Sequence, residues 1–226
     1  MFFSRITLHT KADQQRGFWE IFKNTYALHQ AVWQLFADSP DRDRDFIYRF
    51  DQVKHRPFVY AVSKREPLDG KDLWRIESKV YHPKLASGTC LSFLLRANPV
   101  RTKRDEAGRQ HRHDVVMDAT TCLKAEKADG VSAMHAAALI QEAGGRWLSD
   151  RAEKNGFRVE PGALRVDGYQ QHRFLKGKGA RRISISTLDF SGVLKVTDTV
   201  AFLQTLYEGI GPAKAFGCGM LMVRRV

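Results

Sequence analysis

The sequence predicts an α+β fold built from two small units, and three observations support this prediction. Strand-like and helix-like segments follow a β-α-β-β order in the first part of the chain, and the same order recurs in the second part. The chain has 226 residues and 43% hydrophobic content, enough for one large domain or for two small ones that each have a core. The stretch HPKLASGT at residues 82–89 is typical of a linker. We therefore place the first unit at residues 1–86 and the second at residues 90–226.

The first unit contains one convincing amphipathic helix, TYALHQAVWQLF. Leu28, Ala31, Val32 and Leu35 recur at helical spacing and should face a core. The following DRDRD (41–45) is interpreted as a turn in which alternate arginines neutralise the carboxylates. No helical pattern in the sequence marks the second helix that a β-α-β-β-α-β unit would contain. Strands are predicted at residues 2–9, 46–51, 57–63 and 73–81.

The second unit begins with a strand that leads into a basic segment, CLSFLLRANPVRTK, followed by a charged loop at residues 104–114. A helical block runs from about Ser132 to Asn155, weakened by the Gly144–Gly145 pair. Asp198 is a helix cap, and the helix after it should bury Val200, Leu203 and Leu206 or Tyr207. Further strands are predicted at residues 163–175, 181–190 and 192–196, and at the C-terminal MLMVRR.

A glycine-rich loop, GIGPAKAFGCGM, joins the last helix to the last strand. A nucleotide-binding glycine loop would instead follow a strand and open a helix. Without a Cβ, its glycines allow positive φ angles and close approach of another chain. We expect this bare backbone to meet either a polymer or another part of the fold, although a simple connection without a ligand is an equal alternative.

The charge is the most informative bulk property. The chain carries 37 Lys+Arg against 25 Asp+Glu, a net charge of +12, and its pI is near 9.8. This excess suits a polyanionic partner, nucleic acid first and an anionic membrane surface second. No apolar run is long enough to span a bilayer, and the N-terminus lacks a signal-peptide pattern. Cys90, Cys122 and Cys218 lie far apart, which fits a reducing cytoplasm.

Tyr26 and His29 are the first candidates for chemistry. Three positions apart on a helix, both side chains can reach one substrate bond. Histidine titrates near neutrality and suits general acid or base catalysis, while tyrosine donates or positions. The residues alone favour the alternative of an amphipathic helix edge with a partly exposed histidine.

Basic residues form the second candidate site, because gathered on one face they would follow a phosphate backbone. The HxHD cluster of His111, His113 and Asp114 is interpreted as a solvated loop, since neighbouring arginines would oppose a metal cation. The candidate phosphate-binding residues are Arg101, Lys103, Arg104, Lys176, Lys178, Arg181, Arg182, Lys214, Arg224 and Arg225.

Four blocks in order, YALHQAVWQLF, RANPVRTK, FSGVLKVTD and GIGPAKAFGCGM, resemble the CasE family of CRISPR RNA-processing endoribonucleases from type I-E Cascade complexes. The resemblance covers most of the chain. It implies two tandem ferredoxin-like (RRM-like) domains, with the glycine loop in the second. It also implies metal-independent cleavage, without a cofactor, at the 3′ base of the stem of a CRISPR repeat hairpin. The product is then retained with the other Cascade subunits.

By the match of YALHQ, the resemblance makes His29 the catalytic histidine and Tyr26 its helper. It assigns the loop glycines Gly209, Gly211, Gly217 and Gly219 to RNA contact or to support of that site. The arginine-rich hairpin would lie along the stem, where A-form RNA offers phosphates beside a deep, narrow major groove. Two alternatives stay open: a non-catalytic RNA-binding module, and a structural subunit of a ribonucleoprotein.

Overall fold

A computed structural model describes residues 1–9, 21–22, 25–37, 43–53, 56–70, 73–126, 133–176 and 181–226. The helices in these ranges are α1 (Thr25–Gln34), α2 (Val115–Glu126), α3 (Ala133–Ala152) and α4 (Thr199–Glu208), with short 3₁₀ turns at Glu153–Asn155, Pro161–Ala163 and Lys214–Phe216. The strands are β1 (Phe2–Leu8), β2 (Phe46–Val53), β3 (Arg56–Ser63), β4 (Trp74–Val80), β5 (Cys90–Ala97), β6 (Val100–Arg104), β7 (Gln110–Asp114), β8 (Phe157–Val159), β9 (Arg165–Lys176), β10 (Arg181–Val196) and β11 (Leu221–Arg225).

The first sheet has the strand order β2-β3-β1-β4, and each neighbouring pair is antiparallel. This is the order of a ferredoxin-like unit, in which the first strand lies between the third and the fourth. Helix α1 supplies the connection between β1 and β2. The described residues between β3 and β4 contain no helix, in agreement with the sequence, where none was legible.

The second sheet repeats this plan with the order β11-β5-β10-β8, and β9 also pairs with β10. The 16-residue strand β10 is long enough to pair with two strands in succession. Helices α3 and α4 are its two crossover helices. The prediction of an α+β fold with tandem ferredoxin-like domains is thus confirmed, while the boundaries at residues 86 and 90 stay a prediction.

Each sheet has its own core, and a small third cluster lies between them. Helix α1 packs on the first sheet through Leu28 and Val32, and the larger core of the second sheet includes Trp147 and Phe202. The third cluster joins Ile47 and Val62 of the first sheet to Met220, at the start of the last strand, among other side chains. Burying apolar surface between the units holds the two sheets together.

Three predictions about local structure are wrong. Residues 104–114 are not simply a loop, because β7 pairs in register with β6 and forms a hairpin. The segment at 192–196 is not a separate strand but the end of β10. Helix α4 buries Phe202, Thr205 and Leu206, whereas Val200 is 76% exposed.

The Gly144–Gly145 pair does not interrupt helix α3, which continues to Ala152. A Cβ added at Gly144 would lie 2.6 Å from a methyl carbon of Val166 on β9. The missing side chain therefore lets the helix approach the sheet closely, and the packing contact outweighs the lower helix propensity of glycine.

Candidate active site

Helix α1 divides its residues between the core and the junction of the two domains. Leu28 and Val32 are 6% and 0% exposed and pack on the first sheet. Tyr26 and His29 lie on the flank of this stripe and are partly exposed, with ring centroids 6.2 Å apart. Their spacing of three residues places both rings on one side of the helix, as the sequence predicts.

Aromatic rings of the second domain meet this flank directly. The centroid of the His29 ring lies 5.4 Å from that of Phe216, and Tyr26 stacks on Phe174 at 6.3 Å. Phe174 and Phe216 are themselves 5.0 Å apart, so the four rings form a continuous cluster. The imidazole therefore lies at the domain junction, partly open to solvent, and not within a domain core.

The glycine loop brings Phe216 to this position by closing on itself. The N–H of Ile210 donates to the carbonyl of Gly219 at 2.8 Å, and the N–H of Gly219 donates to the carbonyl of Arg96 at 2.7 Å. Gly219 has a φ of +91°, and a Cβ there would lie 2.7 Å from the carbonyl oxygen of Ile210. Only glycine fits so tight a closure without strain.

The other glycines of the loop also pack on protein. A Cβ at Gly217 would lie 3.3 Å from the ring of Tyr48, and one at Gly211 would lie 3.2 Å from Trp147. These contacts match the expectation that the loop backbone meets another part of the fold. Contact of Gly209, Gly211, Gly217 and Gly219 with RNA stays a prediction.

A hydrogen bond across the domains fixes the 3₁₀ turn at the centre of the loop. The hydroxyl of Tyr48, which is fully buried in the first domain, donates to the carbonyl of Ala215 at 3.0 Å. Ala215 lies between Lys214 and Phe216. The bond therefore sets the position of the turn relative to strand β2 and, through it, the contact between Phe216 and His29.

An arginine of strand β5 reinforces this junction. Arg96 forms two 2.8 Å hydrogen bonds with the carboxylate of Asp189 and donates to the carbonyl of Phe50 on β2 at 3.0 Å. Arg49, which is 6% exposed, lies 3.8 Å from the same carboxylate. Because the Arg96 backbone also receives the bond from Gly219, this residue links the loop to β2.

His172 is a titratable residue near this network that sequence reasoning missed. It precedes Phe174 by two positions on β9, so alternation places both side chains on one face of the strand. Its Nε2 lies 3.1 Å from the hydroxyl of Thr187. Burial lowers the pKa of His172, and the charge of Arg96 lowers it further, so the imidazole is held in its neutral form.

Two cations flank the 3₁₀ turn. Burial lowers the pKa of Lys214, Arg44 lowers it further, and Glu208 opposes the shift. Burial also lowers the pKa of Arg44. The sequence pattern predicted only that Arg44 neutralises the neighbouring carboxylates within a turn. That interpretation is wrong for Asp45 alone, since this residue forms its ion pair with Arg65 at 2.8 Å.

The first group of predicted phosphate-binding residues lies on the β6–β7 hairpin. Arg101 and Lys103 both form ion pairs with Asp118 of helix α2, the latter at 2.8 Å, while Arg104 is exposed. One carboxylate therefore partly offsets two of these cations. Their contact with RNA stays a prediction.

The second group lies at the end of the β9–β10 hairpin. Lys176 and Arg181 are register partners at the last described pair of the ladder, next to the pair that contains Arg182. Lys178 lies outside the described residues. Phe174 precedes Lys176 by two positions, so the strand that contacts Tyr26 leads directly into this basic hairpin.

The HxHD cluster has structural roles. Asp114 accepts hydrogen bonds from the N–H groups of Val116 and Met117, at 2.8 and 3.1 Å, and so caps helix α2. His111 lies 2.9 Å from Asp105 across the hairpin turn. Within the described ranges, no three His, Cys, Asp or Glu side chains are grouped as metal ligands would be.

Among the described helices, none is long and apolar enough to cross a membrane.

Comparison with known proteins agrees with this fold. A family profile described as CRISPR associated protein matches residues 1–225, which places the chain among the CRISPR-associated proteins. The CRISPR system Cascade subunit CasE of Escherichia coli K12 is 32% identical over 203 residues, covering 88% of this chain and 91% of the relative. This chain belongs to the CasE family of type I-E Cascade complexes.

Two further comparisons, one of sequence and one of structure, find Cse3 of Thermus thermophilus similar over most of the chain. The CRISPR-associated endoribonuclease Cse3 is 26% identical over 217 residues, covering 88% of this chain and 90% of the relative. The solved structure of Cse3 bound to an RNA representing a pre-cleavage complex has a TM-score of 0.68 at 23% identity, covering 99% of this chain and 98% of that one. The structural likeness shows that the folds agree.

Proposed function

We propose that this protein is an endoribonuclease that binds the stem-loop of a CRISPR repeat and cleaves pre-crRNA at the 3′ base of the stem. Membership of the CasE family and the 32% identity to a Cascade subunit support this function. The observation that carries the assignment is the position of His29, partly exposed at the domain junction and 5.4 Å from the glycine-loop residue Phe216.

The nucleophile in this reaction is the 2′-hydroxyl of the nucleotide upstream of the scissile phosphate. The 2′-oxygen attacks phosphorus, the bond to the 5′-oxygen breaks, and the products are a 2′,3′-cyclic phosphate (or its 3′-phosphate) and a 5′-hydroxyl. One proton must leave the 2′-oxygen and one must reach the 5′-oxygen. Because the substrate supplies the attacking group, the protein needs no nucleophile of its own.

His29 serves as the proton-transfer group, and Tyr26 orients the ribose or completes the proton relay. A positioned histidine contributes about 10²–10⁴-fold to such a reaction. Holding the 2′-oxygen in line with the leaving oxygen contributes about 7 kcal/mol or more. The ring contacts of Tyr26 with Phe174 and of His29 with Phe216 support this alignment, because each neighbouring ring limits the positions that the side chain can take.

Binding rests on the basic elements that surround this junction. The β9–β10 hairpin, with Lys176, Arg181 and Arg182 at the end of its described part, extends from the strand that contacts Tyr26. Phosphate contacts of this kind supply affinity and register. The net charge of +12 supports the same function.

The retained product joins the protein to the other Cascade subunits. We place this assembly in the cytoplasm, because separated cysteines suit a reducing compartment. The described cysteines Cys90 and Cys218 are both free thiols, in agreement with this.

The test is incubation of the purified protein with its own repeat RNA in excess EDTA, followed by analysis of the product ends. The expected products carry a 2′,3′-cyclic phosphate or 3′-phosphate and a 5′-hydroxyl. Activity that disappears in EDTA and returns with added Mg²⁺ would contradict the mechanism. A hairpin that is bound tightly yet never cut would instead favour a non-catalytic RNA-binding module. Weak binding that tightens only with partner subunits would indicate a structural subunit.

A further inference from the structure

Two cations of different domains lie together beside the 3₁₀ turn. Arg44 precedes strand β2 by two residues, and Lys214 begins the turn that the Tyr48–Ala215 hydrogen bond fixes to that strand at 3.0 Å. The 3₁₀ turn packs on both α1 and β2. The two charges are close enough to interact: burial lowers the pKa of Lys214, and the positive charge of Arg44 lowers it further.

Within the described part of the chain, neither Arg44 nor Lys214 has a carboxylate ion-pair partner. Asp45 pairs with Arg65 instead, and Asp43 is exposed. The charge of Glu208 raises the pKa of Lys214, but the two side chains are too far apart to form an ion pair. Both cations are nevertheless partly buried. Two like charges held together and partly removed from water are unfavourable, and the attraction of an anion placed between them would offset both the repulsion and the cost of desolvation.

The position of this pair relative to the ring cluster identifies the anion. The same turn carries Phe216, which contacts His29. On the other side, Trp33 connects His29 to Phe46, with ring centroids 5.9 and 5.5 Å apart, and Phe46 follows Arg44 by two residues. An RNA strand that passes over His29 toward the C-terminal end of α1 would therefore bring a neighbouring phosphate to the two cations.

We propose that Arg44 and Lys214 together bind one phosphodiester of the RNA strand next to the scissile linkage, at a site that spans both domains. This inference rests on the proposed function of the His29 site. A guanidinium presents paired N–H donors that match phosphate oxygens, while the lysine ammonium acts as a compact charge. Because the two cations come from different domains, a bound phosphate would also hold the domains, and hence His29 and Phe216, in one arrangement.

The experiment combines Arg44→Gln with RNA hairpins in which a single phosphate near the cut is replaced by a neutral methylphosphonate. Each hairpin carries a 2′-O-methyl group beside the altered linkage, so that the linkage itself is stable. Cleavage is measured under single-turnover conditions for the wild type, Arg44→Gln, Arg44→Lys and Lys214→Gln. Arg146→Gln is the matched control, since Arg146 lies on α3 with its side chain 71% exposed and paired with Glu142.

We expect Arg44→Gln to reduce cleavage of the unmodified hairpin by about 10- to 100-fold, the range for loss of a hydrogen bond to a charged group. At one linkage, the methylphosphonate should reduce cleavage by the wild type by about the same factor as Arg44→Gln does. At that linkage it should not reduce cleavage by Arg44→Gln any further. Lys214→Gln should lose sensitivity at that same linkage, and Arg44→Lys should recover part of the rate. Arg146→Gln should cleave like the wild type at every linkage.

Equal cleavage by Arg44→Gln and the wild type would overturn the proposal, and so would a methylphosphonate penalty that stays the same in the variants at every linkage. Thermal unfolding shows whether the variants are folded, and Lys214→Gln tests the site from the second domain. Failure of the proposed function would look different, because wild-type protein would then leave the unmodified hairpin intact or His29→Ala would cleave it normally.

Discussion

Replacing Gly219 by alanine tests whether closure of the glycine loop positions the active site. Gly219 has a φ of +91°, and its added Cβ would lie 2.7 Å from the carbonyl oxygen and 3.3 Å from the nitrogen of Ile210. Backbone atoms cannot rotate away as a side chain can. The left-handed conformation costs about 1–2 kcal/mol, and overpacking typically adds about 1–3 kcal/mol. The expected loss is therefore about 2–5 kcal/mol.

Gly108 provides a matched control for this substitution. Its φ of +75° lies in the same region, but a Cβ there would meet nothing within 4 Å. Gly108→Ala should therefore lose only the conformational part, about 1–2 kcal/mol. For a chain of this length each kcal/mol lowers the melting temperature by about 2–4 °C. The expected decreases are thus about 4–20 °C for Gly219→Ala and about 2–8 °C for Gly108→Ala.

The two variants should also differ in activity well below their melting temperatures. Gly219→Ala shifts the loop that carries Lys214 and Phe216, so cleavage should fall by at least tenfold, roughly the effect of 1.4 kcal/mol in the barrier. Gly108→Ala should cleave at the wild-type rate. Thermal unfolding and single-turnover cleavage measure both effects. Equal melting temperatures and equal rates in the two variants would refute the role assigned to the loop closure.

Substitutions of Tyr48 and Tyr207 test the domain junction, and a substitution of His172 tests the effect of its lowered pKa. Tyr48→Phe removes the hydrogen bond to Ala215 and should cost about 1 kcal/mol in chemical denaturation, with slower cleavage and unchanged RNA affinity. Tyr207→Phe loses another hydrogen bond between the domains, to the carbonyl of Tyr81, but this bond does not hold the 3₁₀ turn and cleavage should stay normal. Equal rates in both variants would argue against the role assigned to the Tyr48–Ala215 bond. His172 has a lowered pKa, so below its ordinary value near 6.5 the unfolded chain binds more protons and folding loses stability as the pH falls. His172→Gln should flatten this acid-side decrease in melting temperature, and an unchanged slope would contradict the assignment.

Periodicity predicted the parts of the fold that depend on local pattern. The stripe of Leu28, Ala31, Val32 and Leu35 placed helix α1 correctly because apolar spacing decides which face is buried. The same spacing put Tyr26 and His29 on the flank. The twofold β-α-β-β order likewise indicated the two sheets.

Tertiary contacts explain most of what the sequence did not show. Helix α2 was missed because its cap, Asp114, stood within a cluster interpreted as a charged loop. Strand β7 is stabilised by pairing with β6 and has no apolar alternation of its own. Val200 was expected to be buried but is exposed, and the helix contacts the core through Phe202 and Thr205 together with the predicted Leu206.

The sequence predicted only part of the candidate site, because the rest of the site depends on tertiary contacts. His29 and Tyr26 share one helix, so spacing alone brings them together. His172 comes from a segment distant in sequence, Arg44 lies beyond the end of the helix that carries His29, and no local pattern relates either one to His29. Their relevance arises from contacts between domains, such as the Tyr48–Ala215 bond, which only the folded chain displays.

The most direct measurement compares a repeat hairpin with one that carries a single 2′-deoxy nucleotide just upstream of the cut, using wild-type protein and His29→Ala in EDTA. Binding and single-turnover cleavage are followed together. We expect the deoxy hairpin to be bound but left intact, and His29→Ala to bind normally while cleaving about 10²–10⁴-fold more slowly. Cleavage of the deoxy hairpin, or wild-type rates from His29→Ala, would show that the imidazole at the domain junction does not promote attack by the 2′-hydroxyl.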